Sequence, residues 1–289
     1  MSMSPLRTNL CLPETRMAAD DETIPCLDGL RAVSIALVVC THFVTNEIPG
    51  GLGVTTFFFI SGFLIARLLF AEWKSTGRID LRAFYIRRFL RLYPVIVAYV
   101  IFTIAVALWL RAPIKTVEIT SVLFYFANYL YAANQLAGET FVHPIGPFWS
   151  LSVEEHFYFF APLPFIVARS DSTLASHFCR HLRRLANVIL NTPIAVWIGR
   201  LSYSIYIWHV LVDHFMPHSI PAAVRTILLF VTTLAVACAS YYLIERPFLR
   251  LRKSFRTTPE RSKMHPVTSL VLTVSAELPE ALGGMPVHQ

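Results

Sequence analysis

Charged residues are scarce in this 289-residue chain: they make up 15% of it against 55% hydrophobic residues. Mean hydropathy is +0.55. So few charges exclude an ordinary water-facing surface and point to a polytopic helical membrane protein. Cysteine is sparse and scattered, at Cys11, Cys26, Cys40, Cys179 and Cys238. No Cys-x-x-Cys and no Cys/His spacing suited to zinc occurs, so neither a structural disulfide nor a metal is expected. The first 28 residues lack an apolar core stretch, which excludes a cleavable signal peptide and leaves insertion to the first membrane segment. Met17, followed by a polar, acidic leader, offers a second start. No basic run is interleaved with aromatics, so nothing points to nucleic acid. No internal repeat or pair of broken helices supports a transporter.

What the chain does contain is apolar runs of spanning length. Seven emerge, at residues 29–46, 52–71, 92–110, 119–137, 148–168, 193–213 and 223–244. The fifth carries Pro162 and Pro164, which should kink or end it. The fold class expected is all-α, a transmembrane helical bundle of about seven spans. A polar leader (1–28) precedes a first membrane part (29–168), a basic linker (169–192), a second membrane part (193–245) and a basic tail (246–289). The net charge of +7 reads as Lys and Arg at a cytoplasmic face. The link between the second and third runs holds Lys74, Arg78, Arg82, Arg87, Arg88 and Arg91, so it belongs inside, together with the N-terminus.

Polar residues inside the apolar runs are the candidates for chemistry. Arg31 and His42 fall on one face of the first helix, ~16 Å apart along its axis. Arg31 can snorkel to a headgroup, but an imidazole among apolar residues needs a partner or a cavity. Arg88 and Arg91 share a helix face, as do Arg87 and Arg91. Such a cluster suits a phosphorylated ligand, or else anchors the chain to lipid phosphates. Glu154 and Glu155 adjoin an apolar helix, with Ser150 and Tyr158 one turn to either side of Glu154. A carboxylate there could orient a histidine, or both could sit at the headgroup boundary. Tyr203, Tyr206, Trp208 and His209 read as membrane-belt residues. Ser61 and Gly62 bring small side chains suited to helix packing.

Taken together, LDGLRA followed by His42, then FFFISGFLI, YIRRFLRLYP, WSLSVEEHFY, IGRLSYSIYIWHV and SYYLIERPF resemble the acyltransferase-3 family of bacterial membrane-bound acyltransferases. The motifs stand in family order. The resemblance implies transfer of an acyl group, commonly acetyl, from acyl-CoA to a hydroxyl of a cell-envelope carbohydrate or similar acceptor, in the bacterial inner membrane. It assigns Arg31, His42 and Glu154 to catalysis, and Arg88, Arg91, Ser61 and Gly62 to the donor side. Histidine titrates in the range acyl transfer needs, either as base for the acceptor or as a covalent acyl carrier.

The chain departs from that family in length. Members have about ten spans, so roughly three helices are expected to be missing at 169–192. An inactive remnant is therefore a rival reading, and a transporter or proton relay a weaker one. Charge raises the same question. Seven crossings from an inside N-terminus leave Arg246, Arg250, Arg252 and the rest of the basic tail outside, against the positive-inside bias. Either the last two segments insert poorly, or one segment fails to cross and the tail stays inside. Both outcomes are expected to displace His209 from His42 and weaken activity.

Overall fold

The computed structural model describes residues 25–162 and 190–252. All its regular elements are helical. They are α1 (Pro25–Phe43), α2 (Gly50–Thr76), α3 (Leu81–Trp109), α4 (Thr116–Leu123), α5 (Ala127–Ala137), α6 (Phe148–Phe160), α7 (Pro193–Phe215) and α8 (Ala222–Ser240). A π-helical segment (Tyr241–Glu245) then leads into α9 (Arg246–Arg252). Among the described residues, five helices are long and apolar enough to cross a membrane, α8 counting together with its extension to Leu251. Their outward faces carry Ile101, Leu108, Trp109, Ile227 and Val231, all exposed. An exposed apolar girdle of this kind is what an integral membrane protein presents to lipid. Most of the proposed 169–192 linker and the tail beyond Arg252 lie outside the described residues.

Local signals set several boundaries. Gly77, at φ 70°, caps α2 by donating its N–H to the Trp73 carbonyl. The Asp80 side chain accepts from the Ala83 N–H at 3.0 Å and starts α3. Thr192 caps α7, with Pro193 in its first turn. Because lipid supplies no hydrophobic drive between helices, close packing holds them together. α1 is gripped on both sides by backbone contact. A Cβ on Gly199 of α7 would lie 1.9 Å from the Asp28 carbonyl oxygen, and one on Gly53 of α2 would lie 2.4 Å from that of Ser34.

The fourth apolar run is not one span. It breaks at Phe124–Phe126, where Tyr125 takes the left-handed φ of 56°. The two pieces, α4 of 8 residues and α5 of 11, are each too short to cross. They form a hairpin that enters the bundle and turns back. At its base, the buried Glu118 carboxylate accepts from the backbone N–H groups of Val142 (3.0 Å) and His143 (2.8 Å). Its tip brings the Tyr125 ring to 6.5 Å from that of Tyr93 on α3. No glycine or proline marks the break, so sequence periodicity carried straight through it.

This hairpin corrects the count of crossings. α6 starts beside Tyr99 (ring centroids 4.8 Å) and ends where the Tyr85 hydroxyl donates to the Phe159 carbonyl, back at the basic end of the bundle. α7 runs parallel to α1, with Gly199 against Asp28 and His209 beside His42. α8 returns antiparallel, from Thr226 at the Phe43 carbonyl to Glu245 at Ser204. The start of the basic tail, Arg246 and Arg250, therefore sits at the same end as Lys74, Arg87 and Arg88. His209 is not displaced. If the basic end is cytoplasmic, a cysteine placed just after Arg252 in a cysteine-free background should be protected from impermeant thiol reagents in intact cells. It should label fully only after permeabilisation.

Candidate active site

The residues singled out above assemble in two layers along α1. The first lies at the basic end. Arg31 forms an ion pair with Asp28 at 3.4 Å, and Arg91, Glu154 and Arg88 lie within its electrostatic reach. Arg88 and Arg91 project from the first half of α3. The Tyr158 ring covers the Arg88 guanidinium at 3.6 Å, a cation–π contact. Nη2 of Arg88 is buried without a hydrogen-bond partner. Arg87 turns away to Glu72 at 3.1 Å and so stands apart from this cluster.

Glu154 is the carboxylate on which the layer converges. It accepts hydrogen bonds from the Tyr158 and Ser61 hydroxyls and lies within reach of all three arginines. Ser61 is buried, one α2 position before Gly62. A Cβ on Gly62 would meet the Phe157 ring of α6 at 3.6 Å, an ordinary contact, so the glycine lets α2 approach α6 without being required by sterics. Glu155 points ~100° away around the helix and has Arg88 as its cationic neighbour.

The second layer is at the far end of α1. His42 is exposed there, and the Val38 carbonyl accepts from its Nδ1 at 2.8 Å. That bond makes Nδ1 the protonated nitrogen of the neutral ring and leaves Nε2 as a bare base. The group that orients His42 is thus a backbone carbonyl, whereas Glu154 serves the arginines. The His42 ring meets that of His209 at 4.9 Å, edge to face. A thread of polar groups joins the layers. His209 Nδ1 donates to the Tyr206 carbonyl at 2.7 Å, and the Tyr206 and Ser150 hydroxyls are hydrogen-bonded one turn before Glu154.

Two participants escaped the sequence reading. Glu245, only 4% exposed, accepts from Ser204 at 3.1 Å and lies within reach of Arg91 and Arg31. His209, read as a belt residue, is 1% exposed. An acid or imidazole inside an otherwise apolar run was the available signal in both cases. Among the described residues, no group of three or more His, Cys, Asp and Glu is gathered to hold a metal ion.

The family described as "Acyltransferase domain", acyltransferase-3, matches residues 24–172, just over half of the chain. The chain belongs to the acyltransferase-3 family. Arg31 and His42 of α1, the arginines of α3 and the glutamates of α6 fall within the matched part. A protein of Staphylococcus aureus strain COL with a provisional O-acetyltransferase name is 38% identical over 148 residues, covering 48% of this chain and 24% of that one. O-acetyltransferase OatA of Staphylococcus aureus strain NCTC 8325 is 38% identical over 154 residues, with the same coverage of 48% and 24%. The match thus takes in about a quarter of the length of these curated relatives. No solved structure matches the chain.

Glu154 and Glu155 differ in what they hold, and this can be measured without any assay of activity. Removing one member of a buried, hydrogen-bonded charge cluster costs ~3–5 kcal/mol. Glu154→Gln should therefore lower the thermal midpoint of the detergent-solubilised protein clearly. Glu155→Gln should move it much less, as followed by fluorescence-detected size exclusion after heating.

Proposed function

We propose that the chain is a membrane-embedded O-acyltransferase. It moves an acyl group, acetyl by analogy with its relatives' names, from acyl-CoA to a hydroxyl of a cell-envelope carbohydrate or similar acceptor at the bacterial inner membrane. The observation that carries this reading is the spacing of the two layers. Three guanidinium groups gather at the basic end, and a histidine with a bare Nε2 stands eleven residues further along α1, ~16 Å away.

Acyl-CoA has that shape. Its phosphates form a polyanionic head, and its pantetheine arm, comparable to four or five extended residues, reaches roughly 15 Å to the thioester. Arg88 and Arg91 grip phosphate oxygens by charge-assisted, fork-like hydrogen bonds, and Arg31 adds a third cation. Glu154 holds the arginines in place and limits their mutual repulsion before the donor arrives. Ser61 and Gly62 border the donor's path past α2.

At the other end, His42 Nε2 takes the proton of the acceptor hydroxyl as its oxygen attacks the thioester carbonyl. The carbon–sulfur bond of the resulting tetrahedral intermediate then breaks, and the departing thiolate takes the proton back from the imidazolium. Protons balance, and the products are the ester and free CoA. The open side of His42 gives the acceptor direct access, which supports this one-step route over an acyl-histidine.

Membranes containing the protein, incubated with radiolabelled acetyl-CoA, test the whole reading. Label should pass to a membrane or envelope fraction and be released by mild base as an ester. His42→Ala should abolish transfer at unchanged expression. If the wild-type protein transfers no label, the chain is an inactive member of its family. Arg88→Ala and Arg91→Ala should each weaken acetyl-CoA binding tenfold to a hundredfold, on the order of the ~1.5–3 kcal/mol of one charged hydrogen bond. Lysine at either position should restore only part, since it lacks the fork. Isothermal titration with acetyl-CoA reads this directly.

A further inference from the structure

His209 lies at position 209, beyond the 24–172 match to the family, and no step above uses it. It is the most enclosed imidazole described, 1% exposed on the inner face of α7. Its nearest ring is that of His42, at 4.9 Å, followed by Tyr206 at 5.6 Å and Phe43 at 6.3 Å. Its Nδ1 is committed to the Tyr206 carbonyl at 2.7 Å, and a carbonyl can only accept, so Nδ1 carries the hydrogen. Its Nε2 is buried and has no hydrogen-bond partner. A second proton there would create a cation with an unpaired donor inside an apolar bundle, so the ring is neutral and Nε2 is a lone pair.

A buried lone pair without a donor has lost its hydration and regained nothing for it. Such a cost is retained where the group faces charge that appears only during function. The group that gains positive charge beside it is His42, at the moment it takes the hydroxyl proton. Resting on the acyl-transfer reading above, we infer that His209 is a positioning residue for His42: a neutral imidazole whose bare Nε2 stabilises the imidazolium that forms on His42 during the reaction. No covalent step and no net proton transfer through His209 is involved. Its fixed dipole needs no reorganisation, and the low local dielectric strengthens it.

Among the described residues, the titratable groups at this end include Cys40 on α1 itself, Arg111 just after α3, and Lys115, Glu118 and His143 at the base of the hairpin. From α7 come Tyr206, Asp213 and His214, and from α8 comes Arg225, whose guanidinium is taken by Asp213 at 2.7 Å. Glu47 follows α1, and His218 lies between α7 and α8. The first two turns of α2, which pack on the same part of α1, contain no titratable side chain. His209 is therefore the ring best placed to act on His42.

The test uses the full chain in lipid nanodiscs, with 15N-labelled histidine and the His42 signal assigned by its loss in His42→Gln. His209→Leu removes the lone pair at similar volume. The His42 titration midpoint is expected to fall by about one pH unit. The rate of acetyl transfer should fall about tenfold, and the acidic limb of its kcat/KM profile should move to lower pH with the midpoint. His209→Gln, which can present a carbonyl oxygen in place of Nε2, should restore at least half of each change. A lower rate with an unmoved midpoint would mean that His209 only packs, and the inference falls. A midpoint that rises in His209→Leu is the sign of a lost neighbouring cation and overturns it as well. The titration is read without turnover, so absence of acetyl transfer in the wild type would count against the proposed function and leave this measurement decisive on its own.

Discussion

Guanidinium groups cannot be gathered inside an apolar bundle unless carboxylates meet them there. That constraint organises the basic end of this protein. Arg31, Arg88 and Arg91 come from α1 and α3, and their counter-charges are Asp28 on α1 itself and, from two further elements, Glu154 on α6 and Glu245 on the π-helical segment. The helices must therefore approach closely enough for short side chains to reach across. Gly199 against the Asp28 carbonyl brings α7 to that distance, and Ser61 of α2 reaches Glu154 from the other side. Even the π-helical segment fits this demand. The wider turn resets the register of the last helix so that Glu245 points inward and meets Ser204.

The same constraint explains why the two layers of α1 differ. The basic-end layer is dense with mutual charge and hydrogen bonds. In the far layer His42 is fixed by a backbone carbonyl instead of a carboxylate, and the nearby Arg225 and Asp213 pair with each other at 2.7 Å. An imidazole that must exchange a proton is better served by neutral surroundings than by a permanent counter-ion, which would hold the proton too tightly. Binding by charge at one end and proton transfer in a quieter setting at the other are thus kept apart on one rigid helix.

Much of this was legible in the sequence. The long helices follow from runs of apolar residues, and the first, second, third, sixth and seventh runs correspond to α1, α2, α3, α7 and α8. Arg31, Arg88, Arg91, Glu154 and Ser61 stand out as polar groups in such runs, and the structure brings them together. Three things were not legible, each for a physical reason. The turn at Tyr125 is held by tertiary packing and needs no glycine, so no local signal announces it. The pairing of His209 with His42 spans more than 160 residues of sequence, and helix periodicity carries no information about which helices become neighbours. The inward aim of Glu245 depends on a π-helical register that a 3.6-residue period does not predict.

The hairpin of α4 and α5 also bears on how such a chain can change its length. Because it turns back, α6 ends at the basic end, and Leu190, just before α7, touches Gly29 at that same end. The stretch between them is a seam whose two edges face the same side of the membrane. Helices can be gained or lost at that seam in pairs without inverting α7 and α8, so His209 and Glu245 keep their places beside α1. An odd number would turn both helices over, unless one of the added segments doubled back as α4 and α5 do. Longer and shorter members of one lineage can therefore share the same inner core of α1, α3, α6 and α7 while differing in how many helices surround it.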